Sequence, residues 1–229
     1  MNGDTKSGTS IIEISKGKFD AGDILYQEEM IIDPNARYAE LSQALAKISK
    51  FIISKQFCWK FEGGKAIVDV LLDLDGYTAR KKKQSEAGYP ESKAPKLNVE
   101  DTVIDWSTQK VNQIINRYRA IWGTGLKTVR TKFNDRWFFL NEMSAVPPES
   151  REGALLQEIS NAIPGSIWIL DHQKYKKNIY VKCIDGWVSV KSGYMEDSQN
   201  FPAYRFINDH LDRKLLHSDK TSTGHYFFK

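Results

Sequence analysis

The 229 residues are 41% apolar and 12% aromatic, which is material for one large domain or two small ones built around real cores. The longest apolar candidates, IIEI and IVDVLLDL, are strand-sized, and no apolar run approaches the ~20 residues of a membrane-spanning helix. Residues 1–100 carry 15 Lys/Arg against 15 Asp/Glu, while 101–229 carry 18 against 14, so the whole net charge of +4 lies in the second part and suits a polyanionic partner there.

In chain order, the opening MNGDTKSGTS lacks the apolar segment of a signal peptide and the Arg-rich amphipathic pattern of a transit peptide. The chain is expected either to stay in the cytosol or to lack its original beginning. TSIIEIS (9–15) reads as a strand and ILYQEEMIID (24–33) as a second. Between them lies a glycine-flanked loop bearing two acids, Asp20 and Asp23. Asp and Gly favour turns, so the loop alone reads as a turn joining two strands. Pro34 stops the second strand. Tyr38, Leu41, Leu45, Ile48 and Ile52 then recur at helical spacing on one face, predicting a helix that starts near Pro34 or Asn35. AIVDVLL (66–72) fits a strand or a short helix equally.

Residues 76–100 are rich in Gly, Pro, Ser and charge and read as a linker, with a domain boundary near residue 98. Its RKKK run (80–83) reads as a solvated loop, with nucleic-acid contact as the alternative. IDWSTQKVNQIINRYRAIWG predicts a second helix with Ser107 as N-cap, Val111, Ile114, Ile115 and Tyr118 as its buried stripe and Gly123 at its end. Arg117 and Arg119 flank Tyr118 and point away from that stripe, and Tyr118 and Trp122 read as core. KTVRTKF, RWFFLNEM, GSIWIL and NIYVKCIDGWVSVKSGY are strand-like, with Asp185-Gly186 as a hairpin turn, and together they predict a small antiparallel barrel. The last twenty residues read as a short helix and a polar tail.

Cys58 and Cys183 fit no metal or redox spacing and read as buried free thiols, in keeping with a reducing compartment. His172, His210, His217 and His225 read as surface residues. The chain shows no Gly-rich phosphate loop, zinc spacing, nucleophile elbow or internal repeat, so no metal is expected.

GDTKSGTSIIEISKGKFDAGDIL (3–25) resembles the segment of methionyl-tRNA formyltransferases that follows their folate-binding region. It has Gly3-Asp4, Gly8-Thr9, an apolar strand, a short loop, then Asp20, Gly22, Asp23, Ile24 and Leu25. KAPKL (93–97) with IDWS (104–107), NRYRAI (116–121), IPGSI (163–167) and CIDGWVSVKS (183–192) are similar to later segments of that family, particularly in animal mitochondrial members. The resemblance covers roughly residues 2–212.

It implies an α/β chain: the C-terminal part of a formyltransferase Rossmann-like catalytic domain (1–75), the linker (76–100), a small OB-like β-barrel that binds tRNA (101–212) and a tail (213–229). The implied activity is formyl transfer from formyl-tetrahydrofolate to the amine of methionyl initiator tRNA, in the mitochondrial matrix, by a monomer without membrane contact. Asp20 would be the catalytic acid of an Asn–His–Asp group, orienting the His and a water and helping to move protons as a tetrahedral intermediate collapses. Ile14, Ser15, Lys16, Gly17, Lys18 and Phe19 would line the pteridine site through backbone groups; for Asp23 a structural reading, through bonds to loop amides, stands beside a functional one. The Asn-x-His…Ser-Leu-Leu-Pro segment that the resemblance places before Gly3 is not among the 229 residues, so this chain alone is expected to have little or no activity. Residues 9–75 are accordingly expected to be less stable than 101–212.

For RNA contact the nominees are Lys96, Arg117, Arg119, Lys127, Arg130 and Lys132, of which Arg130 and Lys132 share one strand face. The alternatives are a non-catalytic tRNA- or ribosome-binding module and another folate-dependent formyltransferase or hydrolase.

Overall fold

The computed structural model describes residues 1–50, 65–88, 94–159, 162–170, 178–211 and 228, in two compact units. Cys58, His172, His217, His225 and Ile52 lie outside the described residues.

The unit formed by Asp4–Lys96 is built on an antiparallel pair, β1 (Lys6–Ile12) and β2 (Ile24–Ile31). Lys6 to Ile11 pair in register with Ile31 to Tyr26. Leu25 then becomes an extra residue, so that Ile12 faces Ile24. Asp33 ends β2 through an Asx turn, its Oδ1 accepting from the Asn35 amide at 2.7 Å. Helix α1 (Tyr38–Lys50) starts later than Pro34, and the Glu40 carboxylate in its first turn accepts from the Arg37 amide at 2.6 Å. The ambiguous 66–72 run is helical, as α2 (Lys65–Leu72), followed by α3 (Leu74–Ala79). The Rossmann-like part expected for residues 1–75 is not seen: the two strands form an antiparallel hairpin, with no parallel pair among the described residues of the unit. Its buried apolar side chains among those residues are Ile24 and Val70, while Ile14, Phe19, Ile31, Leu71 and Leu72 stand exposed.

Part of the 76–100 segment is folded onto this hairpin. The Tyr77 ring meets Tyr26 edge-on at 6.3 Å, and Lys82 exchanges two main-chain hydrogen bonds with Ile24, at 2.7 and 3.0 Å. Arg80 lies 4.9 Å over the Tyr77 ring, and Lys81 reaches Glu13 and Asp23 at 2.9 and 3.3 Å. The RKKK run stays exposed, as expected of a solvated loop, and is at the same time tied to the strands. A composition poor in apolar residues hides such attachment, because it is made by main chain, two rings and charge.

The second unit contains Met1–Gly3 and Leu97–Lys229. Helix α4 (Val111–Ile121) is followed by β3 (Arg130–Phe133), β4 (Arg136–Ala145), α5 (Arg151–Gln157), β5 (Ile167–Trp168), β6 (Ile179–Lys182), β7 (Trp187–Met195), β8 (Phe201–Pro202) and α6 (Ala203–His210). The strands form one antiparallel sheet, ordered β3-β4-β7-β6-β5, with β8 added to β7. The expected barrel is realised as a curled half-barrel whose terminal strands do not pair among the described residues. The free edge of β3 is already occupied, since the Ile104 amide donates to the Arg130 carbonyl at 3.0 Å.

Ser107 does not cap α4. Its amide and hydroxyl both bind Asp105 Oδ1 while Thr108 binds Oδ2, holding the Asp105 carboxyl below its usual range. The helix starts at Val111, whose amide donates to Asp185 in the β6–β7 turn at 2.9 Å. Ile114, Tyr118 and Ile121 are its buried stripe, with Val111, Ile115 and Trp122 packed beside them. They meet Phe138, Leu140, Val188 and Val190 on the inner face of the sheet. A smaller cluster, Leu156, Trp168, Leu170, Tyr180 and Trp187, covers part of the outer face. Cys183 is a fully buried free thiol, as expected, and burial pushes its pKa to about 12.

Phe228, within the segment read as a polar tail, sits in the larger core. Its ring stacks on Phe138 at 5.4 Å and on Trp106 at 6.1 Å and meets Phe133 edge-on at 5.9 Å. Its amide donates to the Gly165 carbonyl at 2.9 Å, and a Cβ at Gly165, where φ is +86°, would come within 2.5 Å of the Phe228 oxygen. Phe228→Ala should lower the unfolding free energy by about 3–5 kcal/mol in a denaturant titration. A loss under about 1 kcal/mol would show that the ring is dispensable to the core.

Candidate active-site loop and nucleic-acid interface

The loop after β1 is pinched at its base. The Glu13 amide donates to the Asp23 carbonyl at 2.9 Å, and Gly22 passes so close to Glu13 that a Cβ there would lie 1.8 Å from the Glu13 oxygen. Only glycine fits. Gln84 locks the other side, its amide nitrogen donating to the carbonyls of Asp20 at 2.7 Å and Gly22 at 2.8 Å. Asp20 is thereby held at φ +52°, a left-handed backbone that Asp adopts more readily than most residues. With its carbonyl engaged, the Asp20 carboxylate is exposed and makes no hydrogen bond among the described residues.

The acids of the loop have divided tasks. Asp23 and Glu13 both bind Lys81, whose pKa their hydrogen bonds raise, that of Glu13 first. Asp23 is thus tied to the scaffold and Asp20 is left open. Around Asp20, Ser15 donates to the Lys18 carbonyl at 2.7 Å and Gly17 turns at φ +86°. Lys16 and Lys18 are exposed, and the Ile14 and Phe19 side chains stand wholly in solvent. Two apolar side chains so placed, beside an open carboxylate on a main-chain-clamped loop, form a surface suited to a flat, partly apolar ligand that needs a proton acceptor.

The nominated cations lie in different settings. Lys96 ends the first unit and is exposed. Arg117 is half-buried, its guanidinium donating to the carbonyls of Asp101 at 3.2 Å and Val103 at 2.9 Å. Arg119 donates to Asn116 at 2.8 Å, and its buried Nε has no partner among the described residues. Lys127 is exposed at φ +69°. Arg130 and Lys132 are brought together around one ring, that of Trp137: the guanidinium carbon lies 4.1 Å and the ammonium 5.3 Å from its centroid. Sequence reading missed Trp137 and Gln84. The alternation of Trp137 and Phe139 with the core residues Phe138 and Leu140 was the available signal for the first; Gln84 sits in a polar stretch that gives none.

Residues 96–211 match the family model for the formyl transferase C-terminal domain. The chain belongs to the formyl transferase family. Over 215 residues it is 27% identical to the mitochondrial methionyl-tRNA formyltransferase of Homo sapiens, covering 92% of this chain and 48% of the human protein. It is 26% identical over 216 residues to the methionyl-tRNA formyltransferase of Caldicellulosiruptor saccharolyticus, covering 93% of this chain and 58% of that protein. The chain thus spans about half the length of the curated relatives it matches. Among solved structures it shares its fold with a variant of HypX from Aquifex aeolicus, at TM-score 0.51 and 17% identity, covering 90% of this chain and 32% of that one. HypX has also been solved in complex with tetrahydrofolic acid; that structure matches at TM-score 0.50 and 16% identity, covering 92% of this chain and 31% of that one.

Gln84→Ala removes both side-chain clamps on the loop. The backbone order parameters of Asp20, Ala21 and Gly22 should fall from about 0.85 toward 0.6 or below in NMR relaxation. Unchanged values would show that the pinch at Glu13 holds the loop unaided.

Proposed function

We propose that this chain serves the formylation of methionyl initiator tRNA in translation initiation, with formyl-tetrahydrofolate as the donor substrate and no metal required. The Asp20 loop carries this reading: a clamped main chain presents one open carboxylate on a loop that also exposes Ile14 and Phe19. In formyl transfer the methionine amine forms a bond to the formyl carbon, the bond from that carbon to the folate nitrogen breaks, and a proton passes from the amine to the departing nitrogen. Asp20 is suited to orient the His of the family's Asn–His–Asp group and to help that proton move. Residues 14–19 would meet the pteridine, with Ile14 and Phe19 supplying apolar contact.

One carboxylate provides neither an oxyanion donor nor a folate cradle. The 229-residue chain is therefore proposed to bind tRNA without transferring formyl. In this reading the β1–β2 hairpin is the C-terminal edge of the catalytic domain and the half-barrel is the tRNA-binding domain. The likeness to mammalian mitochondrial members favours the mitochondrial matrix as the location, although bacterial members match as well.

Two measurements on the isolated chain test the proposal together. Formyl-methionyl-tRNA production should stay at background, and substantial turnover would overturn the claim that Asp20 is insufficient alone. Initiator tRNA should bind with an affinity that falls as salt rises, and Arg130→Glu should weaken it by a further factor of about ten or more. An affinity indifferent to salt and to Arg130→Glu would overturn the RNA assignment.

A further inference from the structure

The outer face of the half-barrel has two different ends. Around β5 and β6 it is covered by the cluster of Trp168, Tyr180 and Trp187 with Leu156 of α5. At the β3–β4–β7 end it carries three half-exposed aromatic rings and two cations in two adjacent rows. In one row Arg130 stands directly across from Phe139, and Phe139 directly across from Tyr194. In the next, Lys132 stands across from Trp137. The Phe139 and Tyr194 rings lie 4.6 Å apart and within 4° of parallel, so they present edges and faces as a rigid pair. Arg130 reaches diagonally over Trp137, and among the described residues its buried Nε has no hydrogen-bond partner and its guanidinium no ion pair, so its placement rests on the ring.

We infer that this face is a stacking platform for unpaired nucleobases, a single-stranded stretch of RNA laid across β3, β4 and β7. The inference rests on the tRNA reading above and deepens it. Cations alone would serve any polyanion, and rings alone would serve many apolar partners. Rings interleaved with Arg130 and Lys132 match a strand that offers a base face and a phosphate at each step. A duplex keeps its bases stacked on one another and offers this surface phosphates only. The acids near the platform are at its rim, Asp135 in the β3–β4 turn and Glu196 beyond β7, where the Glu196 amide binds the Trp137 carbonyl at 2.8 Å. The Arg136 guanidinium is drawn toward that rim by the Glu196 carbonyl, at 3.2 Å.

The test is fluorescence anisotropy on the full 229-residue chain with three ligands of matched phosphate number: a short single-stranded RNA, an abasic strand and an RNA duplex. The base-bearing strand should bind at least about fivefold more tightly than the abasic one. Trp137→Leu and Phe139→Leu should each weaken the base-bearing strand by about fivefold or more and leave the abasic strand within about twofold. The abasic arm reports whether each variant is still folded, and the comparison of ligands on the unsubstituted chain needs no variant at all. Equal affinity for base-bearing and abasic strands overturns the platform. If initiator tRNA still binds in a salt-dependent way under that outcome, the tRNA reading survives without it; if no nucleic acid binds, both fall.

Discussion

The close passage of Gly22 past Glu13 is the constraint on which the candidate active site depends. Two main chains meet where no side chain can fit, and the Glu13–Asp23 hydrogen bond closes the base of the loop. The nine residues between must then bulge outward as a unit. Gln84, from a stretch some sixty residues later, fastens the carbonyls of Asp20 and Gly22. The charges sort themselves accordingly: Lys81 bridges Glu13 and Asp23 at the base, and the Asp20 carboxylate is left without a partner among the described residues. Surface ion pairs of this kind contribute little to stability, because water screens them. Their effect here is to decide which carboxylate faces solvent.

The half-barrel solves a different problem. Its inner face is packed by α4, α6 and the Phe228 ring, and α4 is seated by Asp185 of a hairpin turn rather than by its own N-cap. Tyr118 joins the helix to the sheet by accepting from the Glu142 amide at 3.0 Å, where β4 bends through φ +50°. Before that bend the outward residues of β4 include Trp137 and Phe139, and the inward ones Phe138 and Leu140. The rigidity of the inner packing is what lets a row of outward rings keep a fixed geometry.

Much of this was legible in the sequence. Helical spacing gave α1 and α4, Asp185-Gly186 gave the β6–β7 hairpin, and the order of short motifs gave the family. What was not legible was decided by competing partners, most of them distant in sequence. Ser107 has the right chemistry for an N-cap, but Asp105 two residues earlier captures it. Arg117 has the right helical phase to face outward, yet the carbonyls of Asp101 and Val103 hold it. The 66–72 run carries no distinguishing period and became a helix. Phe228 ends a three-residue aromatic run, YFF, behind a polar stretch, too short to show a helix or strand period that would mark it as core. Asp20 could be nominated from its motif, whereas its exposure and its separation from Asp23 depend on Lys81 and Gln84.

The central claim is that one chain joins an open Asp20 loop to a half-barrel whose β3–β4–β7 face receives RNA. Hydrogen exchange of the isolated chain with and without methionyl initiator tRNA tests it most directly. The account predicts slowed exchange on tRNA binding in residues 130–139 and 192–195, with the inner strand β6 unchanged. Protection that spares β3 and β4, or no protection at concentrations where tRNA is bound, would contradict it.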